Sequence, residues 1–357
     1  MTIKNKDFTK KLLEWGKQNY RPMPWKGEKN PYFIWLSEII LQQTRVEQGT
    51  KYFLAFKKNY PSIFDLAKAK EADVLKLWEG LGYYSRARNL HFTAKYIVSE
   101  LNGVFPTNYK DLLILKGIGT YTASAIASFA YDIPKAVIDG NVIRVLSRIF
   151  GIENTFQKAK EKAAFQSFAD DLISKKEPAI YNQAIMDFGA QICTPKKYLC
   201  SKCIFSSNCF AFKNDLQDFL PLKKKKIKIK SRKFSFFVFN FQNTTYIQQR
   251  TQKDIWKGLH QFPMVEYEEN LTEKKKIALI LLEKYVLKKE MYSIQKISKV
   301  YNQKLTHQKL EVNFIEISLK NIIKQEFINT DVKFLSKFAF PKIINVYLSD
   351  KMNNNGK

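Results

Sequence analysis

No stretch of this 357-residue chain is apolar for long enough to cross a bilayer, and residues 1–20 are too polar for a secretion signal. The chain is therefore expected in the cytoplasm, with no membrane partner. Acidic residues are scarce: 33 Asp and Glu stand against 60 Lys and Arg, a formal net charge of +27. Such an imbalance points to a polyanionic partner, with nucleic acid the first candidate. Lys, Asn, Ile and Phe are abundant throughout, as when coding is A·T-rich, so composition contributes to the excess as well. Cysteine is scarcer still. The four present, Cys193, Cys200, Cys203 and Cys209, lie in a single stretch. With nothing pointing to secretion, disulfides are disfavoured as a framework. No internal repeat is visible. A hydrophobic content of 45% is that of a globular protein, and the length suits two or three domains, each able to bury a core.

The chain is organised around residues 112–152, LLILKGIGTYTASAIASFAYDIPKAVIDGNVIRVLSRIFGI. Residues 108–115 form a short helical pattern, with Asn108 and Asp111 spaced as a capping pair. Gly117-Ile118-Gly119 breaks it. Thr120 is expected to cap a second helix over 121–130. Two glycines let the backbone turn tightly and approach a partner. The second helix directs free N–H groups and its positive end at whatever sits above the hairpin, which makes an anion site suited to phosphate. After Pro134 come Asp139-Gly140-Asn141 and a helical pattern over 142–150. Taken alone, Asp139 is a helix N-cap.

Other stretches carry chemistry too. The cysteines are spaced C-x6-C-x2-C-x5-C; four thiolates suit zinc, but zinc sites usually pair two C-x2-C units, and only Cys200 and Cys203 make one. Residues 31–48, PYFIWLSEIILQQTRVEQ, read as a buried helix with Glu38 among Ile34, Trp35, Ile39 and Leu41. A carboxyl there is either a structural hydrogen-bonding group or a poised acid, because a low-dielectric site raises its pKa. In the string WEGLGYYSRAR, residues 78–88, glycines beside paired tyrosines and two arginines suit a loop that slips aromatic edges into a base stack; the same stretch also reads as a turn leading into a helix over 86–101, and both can hold. Asp187 is a weaker candidate, read with equal weight as a helix-surface acid.

These motifs resemble a known family. The helix, glycine hairpin, helix and following Asp139 are similar to the helix-hairpin-helix signature of the endonuclease III superfamily of DNA glycosylases, and residues 35–44 and 78–90 look like motifs of the MutY-type adenine DNA glycosylases within it. The resemblance covers residues 21 to about 341. It implies a mostly α catalytic region, a six-helix barrel plus an iron–sulfur cluster domain, over 1–222. Cys193, Cys200, Cys203 and Cys209 would hold a [4Fe-4S] cluster in the loop 193–209. A basic linker over 223–233 would follow, then a smaller α+β Nudix-like domain over 234–350 and a disordered tail over 351–357. It further implies a monomer acting on double-stranded DNA that holds A:8-oxoguanine or A:G mispairs. Glu38 and Asp139 would be the catalytic carboxylates, oriented by Tyr121 and Asn141. Gln43, Thr44, Leu81, Tyr83, Gly117, Gly119, Thr306 and His307 would meet DNA, with Leu81 and Tyr83 wedged against the base opposite the target.

Within the last domain, strands are expected over 234–241 and 244–250, a helix over 271–287 and two more strands around 305–308. The family's Phe-Ser-His loop stands here as Leu305-Thr306-His307, keeping a hydroxyl and the histidine. The R-E-x-x-E-E metal carboxylates of Nudix hydrolases are missing after Gly258, so this domain is not expected to hydrolyse nucleotides. Tyr121 takes the position at which lyase-competent relatives carry a Schiff-base lysine, which favours a monofunctional glycosylase. Two alternatives stay open: a bifunctional endonuclease III-like enzyme for oxidised pyrimidines, and a DNA-binding module without catalysis.

Overall fold

Helix α1 (Asn5–Gln18) buries Phe8, Leu12 and Trp15, spaced so that they fall on one face. The computed structural model describes residues 4–222, 229–323 and 326–355. It continues through α2 (Pro31–Leu41), α3 (Val46–Asn59), α4 (Ile63–Lys68), α5 (Glu71–Leu77), α6 (Ser85–Glu100), α7 (Tyr109–Ile114) and α8 (Thr120–Tyr131). Then follow α9 (Gly140–Phe150), α10 (Ala159–Leu172), α11 (Pro178–Gln191) and the short α12 (Phe210–Lys213). No described helix is long and apolar enough to cross a membrane.

Contacts divide the chain into two units. One comprises Met1–Lys68 with Asn89–Lys225, the other Ala69–Arg88 with Lys226–Lys357. The first unit is helical. Its core gathers Val145, Leu146 and Ile149 of α9 against Phe8, Leu12 and Trp15 of α1, Ile185 and Phe188 of α11, and Leu172 of α10. Phe205 closes it, stacked on Phe8 with ring centroids 4.7 Å apart and edge-on to Phe188 at 5.4 Å. Each such side chain contributes about 1.5–3 kcal/mol by leaving water, so the cysteine stretch beside Phe205 is anchored to the same core as α9.

The second unit is built on a sheet. Strand β1 (Lys230–Phe241) lies parallel to β7 (Gln308–Leu319), in register from Lys230 opposite Gln308 to Asn240 opposite Ser318. The other described strands are β2 (Thr244–Gln249), β3 (His260–Gln261), β4 (Met264–Tyr267), β5 (Tyr292–Ile297), β6 (Tyr301–Lys304) and β8 (Ile328–Asp331), in the order β3-β2-β1-β7-β5. Antiparallel β4, β6 and β8 pair with β1, β7 and β2 respectively. Six consecutive β1 residues, 234–239, are buried because both faces of the sheet are covered. Phe237 and Phe239 pack with Ile277 and Leu281 of α13 (Lys274–Tyr285). Phe236 stacks on Phe314, which stacks in turn on Tyr347 of α14 (Lys342–Asn355).

The mostly α region and the smaller α+β unit are thus both present. Several boundaries differ from expectation. Strand β1 begins at Lys230, so the last part of the expected basic linker is ordered by pairing with β7; residues 223–228 lie outside the described residues. The tail expected to be disordered continues α14 to Asn355, and residues 356–357 lie outside the described set. Three strands rather than two fill residues 292–319. Residues 69–88 cluster with the C-terminal unit although they were expected within the N-terminal region.

Candidate active site

Glu38 sits on α2, which starts cleanly: Pro31 occupies the first turn and the Asn30 side chain accepts from the Tyr32 N–H. Its neighbours Ile34, Trp35, Ile39 and Ile40 are all buried, and Glu38 itself is 7% exposed. The helix is shorter than expected. It ends at Leu41, and residues 42–45 turn before α3, with Gln43 in the left-handed region at φ 56°. Burial pushes the Glu38 carboxyl up to about 7 from an ordinary 4.5, a nearby Asp139 adds to the rise, and a hydrogen bond with Tyr121 opposes it. Tyr121 lies in the first turn of α8. Burial and the two carboxyls hold its phenol well above its usual range, so it stays protonated and donates to Glu38.

Asp139 is the N-cap of α9, as expected from its position. Its Oδ1 accepts from the Val142 N–H at 2.7 Å and its Oδ2 from the Asn141 side-chain amide at 2.7 Å. The segment before it belongs to no helix or strand. Instead Asn182 of α11 accepts from Val137 N–H at 3.0 Å and donates to the Lys135 carbonyl at 3.0 Å and to Ser128 Oγ at 2.8 Å. A buried backbone segment must find such partners, and here they fix where Asp139 stands. A helix N-terminus favours the anion, and the Val142 N–H and the Asn141 amide oppose protonation, as does Arg144. Burial is nonetheless the larger effect and raises the carboxyl above its ordinary value. Asn141 accepts in turn from Arg144 at 2.9 Å, and Arg144 also donates to the Gly189 and Cys193 carbonyls, each at 2.7 Å. Gly189 is required there, because a Cβ would come within 2.6 Å of the Asn141 Cβ.

A cavity of about 600 Å³ opens onto Glu38, with Trp25, Lys26, Ser37, Gln183 and Asp187 in its lining; Tyr121 and Asp139 are not part of that lining. Asp187 is no surface acid. It pairs with the Lys26 ammonium at 2.6 Å, with side chains 8% and 1% exposed. Burial lowers the Lys26 pKa and the Asp187 partner counteracts it.

The hairpin between α7 and α8 turns at Gly117, whose φ of +83° and a neighbour, Asn89 Cβ, 2.7 Å from any added Cβ, leave no other residue room. Gly119, not Thr120, is the N-cap of α8. It has no side-chain cap, and the space over it is open. The first N–H groups of α8 are therefore left for an outside acceptor.

Four of the remaining DNA-facing candidates lie in the second unit. Leu81, Tyr83, Thr306 and His307 line one cavity of about 480 Å³. The Tyr83 hydroxyl is hydrogen-bonded to Thr306 Oγ1, in the turn between β6 and β7. Tyr83 is 43% exposed, whereas Leu81 is buried at 9%. Gln43 and Thr44 belong to the first unit.

Known proteins are similar to this chain in sequence and fold. A profile of the HhH-GPD superfamily of base excision DNA repair proteins fits residues 36–170, which include Glu38, Tyr121 and Asp139, and a NUDIX domain profile fits residues 235–350. The adenine DNA glycosylase of Buchnera aphidicola subsp. Schizaphis graminum is 40% identical over 257 residues, 72% of this chain and 74% of that protein. The chain belongs to the adenine DNA glycosylase family. The human adenine DNA glycosylase is 38% identical over 213 residues, 57% of this chain and 39% of the human protein. Among solved structures, a thermostable thymine-DNA glycosylase superposes with a TM-score of 0.55 at 29% identity, covering 59% of this chain and 97% of that one.

In this glycosylase the four cysteines come together. Cys193, Cys200, Cys203 and Cys209 line one small cavity with Arg148 and Tyr198. Burial, and then the other three thiols, push Cys203 up to about 12 against the opposing bond from the Phe205 N–H. Arg148, one turn after Arg144 on α9, reaches Cys193 Sγ at 3.4 Å, the Thr194 carbonyl at 2.8 Å and the Pro195 carbonyl at 3.2 Å. Arg144, Arg148, Asn182 and the Lys26–Asp187 pair were not singled out from the sequence for these contacts. The one signal for the arginines was two cations within the otherwise buried pattern 142–150.

Proposed function

We propose that this chain is a monofunctional adenine DNA glycosylase of base excision repair, removing adenine mispaired with 8-oxoguanine or guanine in duplex DNA. The observation that carries the reading is the pairing of a protonatable Glu38, bonded to Tyr121, with an N-capping Asp139. Adenine must leave the base stack to be reached, and the cavity over Glu38 has the size and lining to receive it. Glu38, with its pKa near 7, still holds a proton on a large fraction of molecules at neutral pH. It protonates adenine at N7, so the base leaves with the electrons of the glycosidic bond. The sugar is left positively charged, and Asp139 stabilises that charge; water then adds to the sugar and releases a proton. Two carboxyls in unlike surroundings divide the labour as in glycosidases. Tyr121 at the Schiff-base position supplies no amine, which favours excision without strand cleavage.

The four cysteines suit a [4Fe-4S] cluster. They ring one cavity, yet among the described residues no three His, Cys, Asp or Glu converge as ligands of a single metal ion do. A cluster carries its own iron and sulfide body and takes thiolates spaced further apart than zinc does. Held by these cysteines, it would tie down the loop bearing Lys196, Lys197 and Lys202, whose ammonium groups would then be available to DNA phosphates. The hairpin at Gly117 and Gly119 contributes backbone N–H groups, Gln43, Thr44 and Tyr83 meet the bases, and Thr306 with His307 reads 8-oxoguanine. A cytoplasmic monomer with residues 1–222 as the catalytic region completes the proposal. Glycosylase assays on A:8-oxoguanine, A:G and thymine-glycol duplexes test it. Adenine loss from the first two without strand scission is expected; activity on thymine glycol with scission would favour the endonuclease III-like alternative, and no excision at all a binding module.

A further inference from the structure

The residues that carry Leu81 and Tyr83 are built into the C-terminal unit by more than the Tyr83–Thr306 contact. Glu79, just before them, is the hub. Its Oε1 accepts from the Phe340 backbone N–H at 2.7 Å and from the Asn345 side-chain amide at 2.9 Å. Its Oε2 accepts from the Lys76 ammonium at 2.5 Å, and that ammonium donates also to the Phe338 carbonyl at 3.0 Å. The Glu79 side chain is 18% exposed, so these charge-assisted bonds are partly shielded from water. Phe340 and Asn345 flank the start of α14, the helix whose Tyr347 stacks on the sheet residue Phe314. Glu79 is thereby fixed to the frame from which the turn bearing Thr306 projects.

The loop that follows needs such an anchor. Gly80, Gly82 and Tyr83 all have positive φ, at 96°, 73° and 48°. A tyrosine held in the left-handed region costs free energy unless its surroundings fix it. Inside the loop, Trp78 Nε1 donates to the Gly82 carbonyl at 3.1 Å, and the Arg86 guanidinium lies 5.0 Å from the Trp78 ring and 5.9 Å from that of Tyr83. Those bonds shape the loop. The Glu79 bonds relate it to the rest of the unit.

We propose that Glu79 is a positioning residue for mispair recognition: by clamping the start of the 80–83 loop to Phe340 and Asn345, it holds Tyr83 in register with Thr306, so that wedge and 8-oxoguanine reader act as one piece. The inference rests on the proposed reading of this unit and deepens it. Glu38, Tyr121 and Asp139 belong to the other unit. Loss of the clamp therefore acts on the choice of mispair rather than on bond cleavage.

The test uses the full-length protein and single-turnover adenine excision from A:8-oxoguanine and A:G duplexes. Glu79→Ala should lower the preference for A:8-oxoguanine about tenfold or more, the scale of losing hydrogen bonds to a charged group, while excision from A:G stays within about threefold of the parent. Asn345→Ala removes one donor only and should lower the same ratio less; the double variant should do no more than Glu79→Ala alone. Glu79→Gln keeps an acceptor for Phe340 and Asn345 but turns a donor toward Lys76, and should restore part of the ratio. A merely structural role would lower both rates together and leave the ratio unchanged, and that result overturns the proposal. Should Glu79→Ala fail to fold, an unchanged ratio in Asn345→Ala overturns it instead. A Thr306→Ala/His307→Ala protein run alongside separates the two failures. A lowered ratio there, with none in Glu79→Ala, sinks the clamp and keeps the reader; a lowered ratio in Glu79→Ala alone keeps the clamp and sinks the reader; no change in either sinks both.

Discussion

Replacing Glu38 by glutamine keeps the shape and an acceptor for the Tyr121 hydroxyl while removing the proton. Excision should then fall by roughly two to four orders of magnitude, the usual weight of a general acid. The same change should make the protein more stable at high pH. The Glu38 carboxyl titrates near 7 in the folded protein against an ordinary 4.5. Its folded form therefore binds the proton more tightly than the unfolded chain does. The associated stability is fully present below about pH 4.5 and is lost as pH rises through about 7, because above that an ionised carboxylate is held in an apolar site. At about 1.4 kcal/mol per pH unit, the whole effect is roughly 3 kcal/mol. Glutamine carries no charge to bury, so the variant should gain on the parent through that window and hold the gain above it. Melting curves of parent and variant across pH measure this, and single-turnover excision with parallel duplex affinity measures the chemistry. In the parent, excision should also decline as pH passes about 7. If the variant excises adenine within about tenfold of the parent, or gains no stability at alkaline pH, Glu38 is a structural group and its assignment as the acid is wrong.

Asp139→Asn should cost excision at least as much as Glu38→Gln while binding the mispair as the parent does, and the double variant should lose little more than either alone, because both serve one transition state; additive losses in single-turnover assays would argue for separate roles. The two hairpin glycines should behave differently. Gly117→Ala should lower the melting temperature, since φ is +83° and Asn89 stands in the way, whereas Gly119→Val should fold normally and bind duplex more weakly, as its side chain would occupy the open space over the first turn of α8. Anaerobically purified protein should be yellow-brown with about four irons per chain; zinc without iron on metal analysis would refute the cluster.

Much of the site was legible because its determinants are local. An N-cap is set by residues three positions apart, so Asp139 and its bond to the Val142 N–H could be read from the string. The same holds for the turn at Gly117 and for the spacing of the cysteines. Glu38 was suspected from its apolar neighbours within α2. Its proton affinity, however, depends on what closes over that helix, here Tyr121 and Asp139, from about a hundred residues away.

Local signals misled where tertiary contacts took over. Thr120 has the chemistry of a cap, but Gly119 takes the position because the hairpin places its backbone there. Residues 230–233 are basic enough for a linker, yet pairing with β7 makes them strand. Lys26 with Asp187, Arg144 with Gly189 and Cys193, and Glu79 with Phe340 join residues 161, 45, 49 and 261 positions apart. The sequence determined which side chains could cap, turn, ligate or donate, since those are properties of a residue and its near neighbours. Which of them are desolvated, and which meet across the chain, only the folded structure decided, because burial and long-range hydrogen bonding belong to the packing of whole elements.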